Sequence, residues 1–248
     1  MQIGLVIVGD EILSGRRVDT HLPQVVAMLK ARGLVLSWSR IVGDDPALLV
    51  DTYRQTFATS DLVFSTGGIG ATPDDLTREA VAAALNSVTE AHPQGVELIR
   101  QYCLEHQREF NPQRLRLVEF PKDSALIPNP INGIPGFSVG NHHFVPGFPQ
   151  MAWPMIAWVL DNRYPDLRDS QYREEAIMVF DTFESAIIPI MEQLTQRYPT
   201  TRLFSLPIID RHTPQIEMGV KGPALEVTAA MDDLKQALKQ LGSHWERV

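Results

Sequence analysis

The run from Ser65 to Thr77 (Ser-Thr-Gly-Gly-Ile-Gly-Ala-Thr-Pro-Asp-Asp-Leu-Thr) joins an apolar, β-like stretch to a patterned helix, and it constrains the fold more than any other part of the chain. Leu62-Val63-Phe64 reads as a buried parallel strand. The glycines that follow, Gly67, Gly68 and Gly70, allow backbone angles closed to other residues, so amides there can approach a ligand closely. Pro73 suits a first helical position with Thr72 as N-cap, which would aim the unpaired amides of that helix at the same place. An anion should dock there. Asp74 and Asp75, in that first turn, favour the helix dipole but would repel a phosphate unless a divalent cation sat between them. The pattern predicts a phosphate ester bridged by Mg²⁺. For the loop alone, a glycine-rich turn that only caps a helix is the competing reading.

A length of 248 residues admits one large domain or two modest ones, and 44% hydrophobic content with 21% charge is ordinary for a globular chain. A net charge of -8 disfavours non-specific binding to nucleic acid or to an anionic membrane. The single cysteine, Cys103, excludes an intramolecular disulfide framework and reads as a passive thiol in a reducing compartment. No apolar run reaches the ~18 residues of a membrane span, and the opening Ile3 to Val8 is too short for a signal core. A cytoplasmic location is expected.

The first two-thirds alternate strand and helix patterns: Ile3 to Val8 then Val18 to Arg32, Val35 to Val42 then Pro46 to Ser60, Leu62 to Ser65 then Pro73 to Leu85. That rhythm predicts an α/β, doubly wound, mostly parallel sheet in three layers. In the first long helix Val18, Leu22, Val25, Val26 and Leu29 fall at helical spacing, and Gly33 is placed to cap its end. Residues 90 to 111 read as a polar helix broken at Asn111-Pro112. Pro121 to Pro149 reads as irregular chain with strands at Ser124 to Ile127 and His142 to Val145, and Pro154 to Asp161 as a closing helix. The polar stretch Asn162 to Ser170 suits a boundary between a domain over 1-165 and a second over 171-248. The second reads as small and α+β: strand Ala176 to Phe180, helix Ala186 to Tyr198, strands Arg202 to Ile209 and Gln215 to Val220, and a last helix with Val227, Met231, Leu234, Leu238 and Leu241 on one stripe.

Two more segments follow predicted strands. Gly9-Asp10-Glu11-Ile12-Leu13-Ser14-Gly15 puts two carboxylates and a hydroxyl at the end of the first strand, the edge where open α/β sheets gather ligands. If the strands are parallel neighbours, four acids meet on one rim. Pro146-Gly147-Phe148-Pro149 would close a third side. Asp44 and Asp45 before Pro46 read as helix-capping acids outside the site, and His142 and His143 point to opposite faces of their strand, so they cannot easily share a metal.

With these loops in place, the chain resembles the molybdopterin-binding-like (MoaB/Mog) domain family, most closely the amino-terminal part of the competence/damage-inducible protein A (CinA) family. The stretches that carry the resemblance are Val8 to Arg16 with Val18-Asp19-Thr20, Val42-Gly43-Asp44-Asp45, Thr66 to Gly70 through Asp74 to Ala80, and Pro146 to Pro149. It covers about residues 1 to 165, and the remainder is similar to the small KH-like domain that follows in that family. The resemblance implies a three-layer α/β fold, oligomeric in many relatives, that binds a phosphate-bearing pterin or nucleotide. In CinA-like proteins it implies a divalent-metal-dependent pyrophosphatase acting on ADP-ribose or a related dinucleotide such as FAD.

Carried over by position, Gly67, Gly68 and Gly70, with Thr66, Thr72 and Thr77 beside them, would cradle phosphates. Asp75 would hold the metal with Asp74 or Asp10 in support, Asp10, Glu11, Ser14 and Gly15 would line the opposite wall, and Gly147 and Pro149 would shape the third. Glu11 is the candidate to orient an attacking water. The chain departs from the family at His21, where asparagine is usual, at Ala71, where proline is usual, and at Gln150, where a Ser-Glu pair is missing. Asp74 stands where adenylating relatives have arginine, which favours metal-dependent hydrolysis. The deamidase domain of longer CinA proteins is absent from the sequence, so nicotinamide mononucleotide deamidation is not expected. The alternative is a carrier or sensor that binds molybdopterin or a nucleotide without turnover. Nucleic-acid binding through the second domain is disfavoured, because residues 173 to 248 hold more acids than bases and lack a Gly-x-x-Gly clamp. That segment is expected to pack on the sheet domain or on another subunit.

Overall fold

Six consecutive buried residues form the first strand, β1 (Ile3–Val8), the pattern of a strand covered on both faces. The structure, a computed structural model, describes residues 1–208 and 214–248 and divides into two units, residues 1–31 with 35–167 and residues 32–34 with 168–248.

In the first unit β1 is followed by α1 (Asp10–Leu13), α2 (His21–Lys30), β2 (Trp38–Val42), α3 (Pro46–Phe57), β3 (Leu62–Thr66), α4 (Thr77–Ala84), β4 (Thr89–Ala91) and α5 (Pro93–Glu105). Then come α6 (Pro112–Leu115), β5 (Glu119–Pro121), β6 (Ala125–Ile127), β7 (Gly136–Val139), β8 (His142–Val145) and α7 (Pro149–Asn162). The main sheet runs β2-β1-β3-β8-β7-β6, parallel from β2 to β8 and antiparallel beyond it. The register sets Val8 beside Val42, Ile7 beside Thr66 and Thr66 beside Val145, so four strands end on one rim. Strand alternation sends Val6, Val8 and Val63 into a core with Leu49, Tyr53, Val81 and Ile99 of α3, α4 and α5. Leu5, Ile7 and Phe64 face the other way, where α2 and α7 pack on each other and bury Val25, Leu29, Met155 and Ile156. The result is the three-layer, mostly parallel α/β fold.

Several elements differ from the sequence expectations, each for a local reason. The first long helix begins at His21, not Val18; Val18 is 86% exposed and Val26 also faces solvent, so the apolar stripe is narrower than its spacing suggested. That helix ends on Ala31, and Gly33 (φ +71°) turns the chain after it. The closing helix starts five residues early at Pro149, and Pro154 lies inside it, forfeiting only a bond to the carbonyl of exposed Gln150. Strand β7, read as loop from its Pro-Gly opening, is held by a stack of Phe120, Phe137 and Phe144 with ring centroids 4.8 and 4.5 Å apart, worth about 0.5–1.5 kcal/mol per pair beyond area burial. Gly136 is required there, because a Cβ would meet the carbonyl oxygen of Phe144.

The second unit contains β9 (Tyr172–Phe180), α8 (Glu184–Arg197), β10 (Arg202–Ile208), β11 (Gln215–Pro223), α9 (Ala224–Leu241) and β12 (His244–Arg247). Its sheet, β10-β11-β9-β12, is antiparallel throughout, and its core joins Ile177, Val179 and Met218 to Val227, Met231, Leu234 and Leu238. Leu241, expected on that stripe, is 45% exposed at the end of α9. Strand β12 carries no apolar run to announce it, and Ile209, the expected end of β10, lies outside the described residues.

Candidate functional site

The loop after β3 leaves the sheet through two successive residues in left-handed backbone, Gly67 (φ +97°) and Gly68 (φ +68°). A Cβ on Gly67 would strike the carbonyl oxygen of Val8, and one on Gly147 would lie 3.3 Å from the Cα of Gly67, so the three rim loops touch through glycines. The Gly67 amide donates to Val145 O at 3.0 Å, and Thr77 closes the base with its amide on Gly68 O (2.9 Å) and its hydroxyl on Gly67 O (3.0 Å). Among the described residues, the amides of Gly68, Ile69, Gly70 and Ala71 make no hydrogen bond, and all four residues line one cleft of about 450 Å³. Consecutive free amides of this kind form an anion-binding concavity. Below the loop Tyr53 bonds Ser65 through their hydroxyls (2.9 Å), and burial pushes the phenol up to about 12.

The helix expected to contribute its N-terminus does not. Residues 72 to 76 form a turn and α4 starts at Thr77, because the Thr77 amide is spent on Gly68 and the Asp75 amide on Thr72 O (3.0 Å). Asp74 and Asp75 therefore stand in a loop, not in a first helical turn. One Asp75 oxygen accepts from both the amide and the hydroxyl of Thr72, leaving the other available. Thr72 also holds the carboxyl of Asp74 below the usual carboxylate range.

The opposite wall comes from the loop after β1. Glu11 and Arg17 line the cleft, with the Arg17 amide on Glu11 O at 3.0 Å. Asp44, read as a capping acid, is in the lining too; Asp45 alone caps α3, accepting from Leu48 N at 2.9 Å. Asp10 and Asp44 exchange backbone bonds, Asp10 N to Asp44 Oδ2 (3.0 Å) and Asp44 N to Asp10 Oδ1 (3.1 Å), which locks the two loops together. Burial raises the carboxyl of Asp44, and the carboxylates of Asp10, Glu11 and Asp74 raise it further despite the Asp10 amide. Negative charge is crowded here beside one guanidinium.

The third wall is the loop after β8, with Pro146, Gly147 and an exposed Phe148. His21 fixes it by donating from Nε2 to Gly147 O at 3.0 Å, and Asp19 in turn accepts from the amides of His21 and Leu22, both at 2.9 Å. Position 21, a departure from the family pattern, thus has a task of its own.

Six residues assigned to the site from sequence are not in the lining. Asp10 holds the Asp44 amide with one carboxylate oxygen, while Ser14 and Gly15 (φ +72°) close the exposed turn after α1. Thr66 is buried at the end of β3, Thr77 braces the glycine loop from beneath, and Pro149 is the first residue of α7. Conversely, Arg17, Leu117, Asn129, Asn132 and Met151 line the cleft and were not singled out, and Asp44, read as outside the site, lines it too. Arg78 is a further surprise: wholly buried on α4, its guanidinium has the Glu79 carboxylate at 3.8 Å and no hydrogen bond. Burial pulls it below the usual arginine range, against the opposing fields of Glu79 and Asp75.

The donors fit a hard divalent cation in kind, being carboxylate oxygens only. They do not form a ready-made cage, since among the described residues no three His, Cys, Asp or Glu side chains are grouped to hold an ion. Such a set suits Mg²⁺, which is commonly held by one or two carboxylates, water and the substrate's own phosphate oxygens. His142 and His143 take no part: His142 stacks on Phe57 (3.9 Å), and His143 bonds Ser138 (2.8 Å) and Tyr164 (2.9 Å).

The family model for a probable molybdopterin binding domain matches residues 4–168. The chain belongs to the molybdopterin-binding domain family. A CinA-like protein of Desulforapulum autotrophicum is 34% identical over 82% of this chain and 50% of its own length. A CinA-like protein of Anaeromyxobacter sp. is 36% identical over 60% of this chain and 38% of its own length. The chain therefore spans half or less of these curated relatives. The crystal structure of a CinA protein of unknown function from Thermoplasma acidophilum covers 68% of the chain and all of its own, at 26% identity and a TM-score of 0.59. The family member described here is thus of the CinA type. No helix among its described residues is long and apolar enough to cross a membrane.

Proposed function

We propose that the cleft is the active site of a divalent-metal-dependent pyrophosphatase that hydrolyses ADP-ribose or a related dinucleotide. The observation that carries this reading is the set of free amides at Gly68, Ile69, Gly70 and Ala71, facing Arg17 and crowded carboxylates in one cleft. Loop amides and Arg17 bind the non-bridging oxygens of the diphosphate and stabilise the charge that builds on them. Asp75 and Asp74, with the substrate's oxygens, are the residues that would hold Mg²⁺. When bound, that ion supplies charge neutralisation and acidifies water. Glu11, across the cleft, accepts the proton of the attacking water; one P–O bond forms, the bridging P–O bond breaks, and two phosphate monoesters leave. Thr72 keeps Asp75 oriented throughout.

The absence of a three-acid cage among the described residues favours a second reading, a molybdopterin or nucleotide binder without turnover. The family's name agrees with it. Incubation with ADP-ribose, FAD and ATP, each with Mg²⁺ or Mn²⁺ and after chelation, separates the two. The first reading expects AMP and ribose 5-phosphate from ADP-ribose only with metal, and a loss of at least ~100-fold in Asp75→Ala. Turnover that survives chelation, or that Asp75→Ala leaves unchanged, overturns it. Stoichiometric binding without product favours the second.

A further inference from the structure

Away from the glycine loop, the cleft wall is built from two asparagines used in the same way. Asn129 Oδ1 accepts from the amide of Ile131 at 3.0 Å, and Asn132 Oδ1 accepts from the amide of Ile134 at 3.0 Å. These bonds settle how each side-chain amide is turned, since a backbone N–H can be met only by the oxygen. Both Nδ2 groups are therefore donors with nothing to accept through. Asn129 is only 5% exposed and lines the cleft, yet its Nδ2 is buried without a hydrogen-bond partner. Asn132 Nδ2 has only the thioether of Met151, 3.5 Å away and a weak acceptor. Buried amide donors are almost always satisfied, so one without a partner on a residue of the cleft wall marks a place for a ligand atom. Around them the wall is apolar: Leu117, Ile134, Pro135, Phe148 and Met151.

We propose that this end of the cleft is a ring-recognition subsite. It takes a planar heterocycle that presents hydrogen-bond acceptors, ring nitrogens or an exocyclic carbonyl oxygen, to the Nδ2 groups of Asn129 and Asn132, with its faces against the apolar wall. An edge that offers only N–H donors is disfavoured, because each Oδ1 is already engaged by a backbone amide and the groups left without a good partner are the Nδ2 donors. The inference rests on the reading of the glycine loop as the diphosphate site, and it adds which part of the ligand the second wall selects.

The test measures binding to the full chain of three probes: pyrophosphate with Mg²⁺, adenosine, and ADP with its deaza analogues, each lacking one ring nitrogen. Asn129→Ser is the variant of choice, since a serine hydroxyl can still accept from the Ile131 amide but the reach of the Nδ2 donor is lost. Expected are a loss of ~10-fold (about 1.4 kcal/mol) in ADP affinity and pyrophosphate affinity within about 2-fold of the parent. At least one deaza analogue should bind the parent ~10-fold more weakly than ADP, and that penalty should disappear in Asn129→Ser. The inference is overturned if Asn129→Ser binds ADP as the parent does, if it loses pyrophosphate equally, or if no deaza analogue binds more weakly. Adenosine binding that depends on Asn129, with no pyrophosphate binding at all, would sink the diphosphate reading and leave the ring subsite standing.

Discussion

The two walls of the cleft recognise by different means. From Gly67 to Asp75 the ligand would meet backbone amides, whose direction is set by positive φ angles and by Thr77 beneath them. From Asn129 to Phe148 it meets side chains: two amide donors and an apolar lining. A backbone cradle depends on conformation and cares little about side-chain identity beyond glycine, whereas the second wall can be retuned by single substitutions without touching the fold. One wall therefore suits an invariant charged group, and the other is where selectivity resides.

The hardest blow to the comparison is Gly67→Ala. Left-handed backbone costs an ordinary residue about 1–2 kcal/mol, and the added methyl would meet Val8 O, so pyrophosphate affinity should fall by more than ~100-fold together with the melting temperature. Unchanged pyrophosphate binding would show that the loop is not the anion site.

Acid should act next, through the strand that leads into the second wall. Burial pushes His142 down to about 4 and His143 down to about 3, from an ordinary 6.5. Below 6.5 the unfolded chain takes up protons that the native state refuses, so stability falls as pH drops from 6.5 toward 4, by up to about 1.4 kcal/mol per pH unit for each histidine. Urea melts from pH 7 to pH 4.5 should show that slope, and His143→Phe should reduce it; a flat profile contradicts the burial argument.

Arg17→Ala and Phe148→Ala then separate the walls. The first should cost ~10-fold in pyrophosphate affinity and flatten its salt dependence, the second should spare pyrophosphate and weaken only ring-bearing ligands. Equal effects on both probes would merge the two walls into one. Smallest is His21→Ala, which removes the bond to Gly147 O and should cost about 1 kcal/mol of stability by thermal melting, with little change in pyrophosphate affinity.

What could be read from the sequence was whatever depends on neighbours along the chain. Ile3 to Val8 and Leu62 to Phe64 announce themselves by their apolar runs, and the glycine spacing at 67, 68 and 70 marks a close backbone approach. Short strands such as β5 and β7 have no such run and exist because Phe120, Phe137 and Phe144 meet in the core. Pro73-Asp74-Asp75 looked like a helix start because its composition is right for one; the Thr77 bonds to Gly67 and Gly68, which no local pattern reveals, delay the helix by four residues. Arg17, Asp44 and Asn129 enter the cleft from three loops that the sheet order alone brings together. The Asn-x-Ile spacing at 129 and 132, twice in succession after a proline, was the one available hint of the second wall.

The claim under everything else is that the amides of Gly68 to Ala71 hold a diphosphate. Amide chemical shifts of ¹⁵N-labelled protein, recorded as Mg²⁺ and ADP-ribose are added together, test it directly. Gly68, Ile69, Gly70 and Ala71 are expected to move first and furthest, with Thr72 and Arg17 behind them. Saturating shifts confined to other loops, with these four amides still, would contradict it.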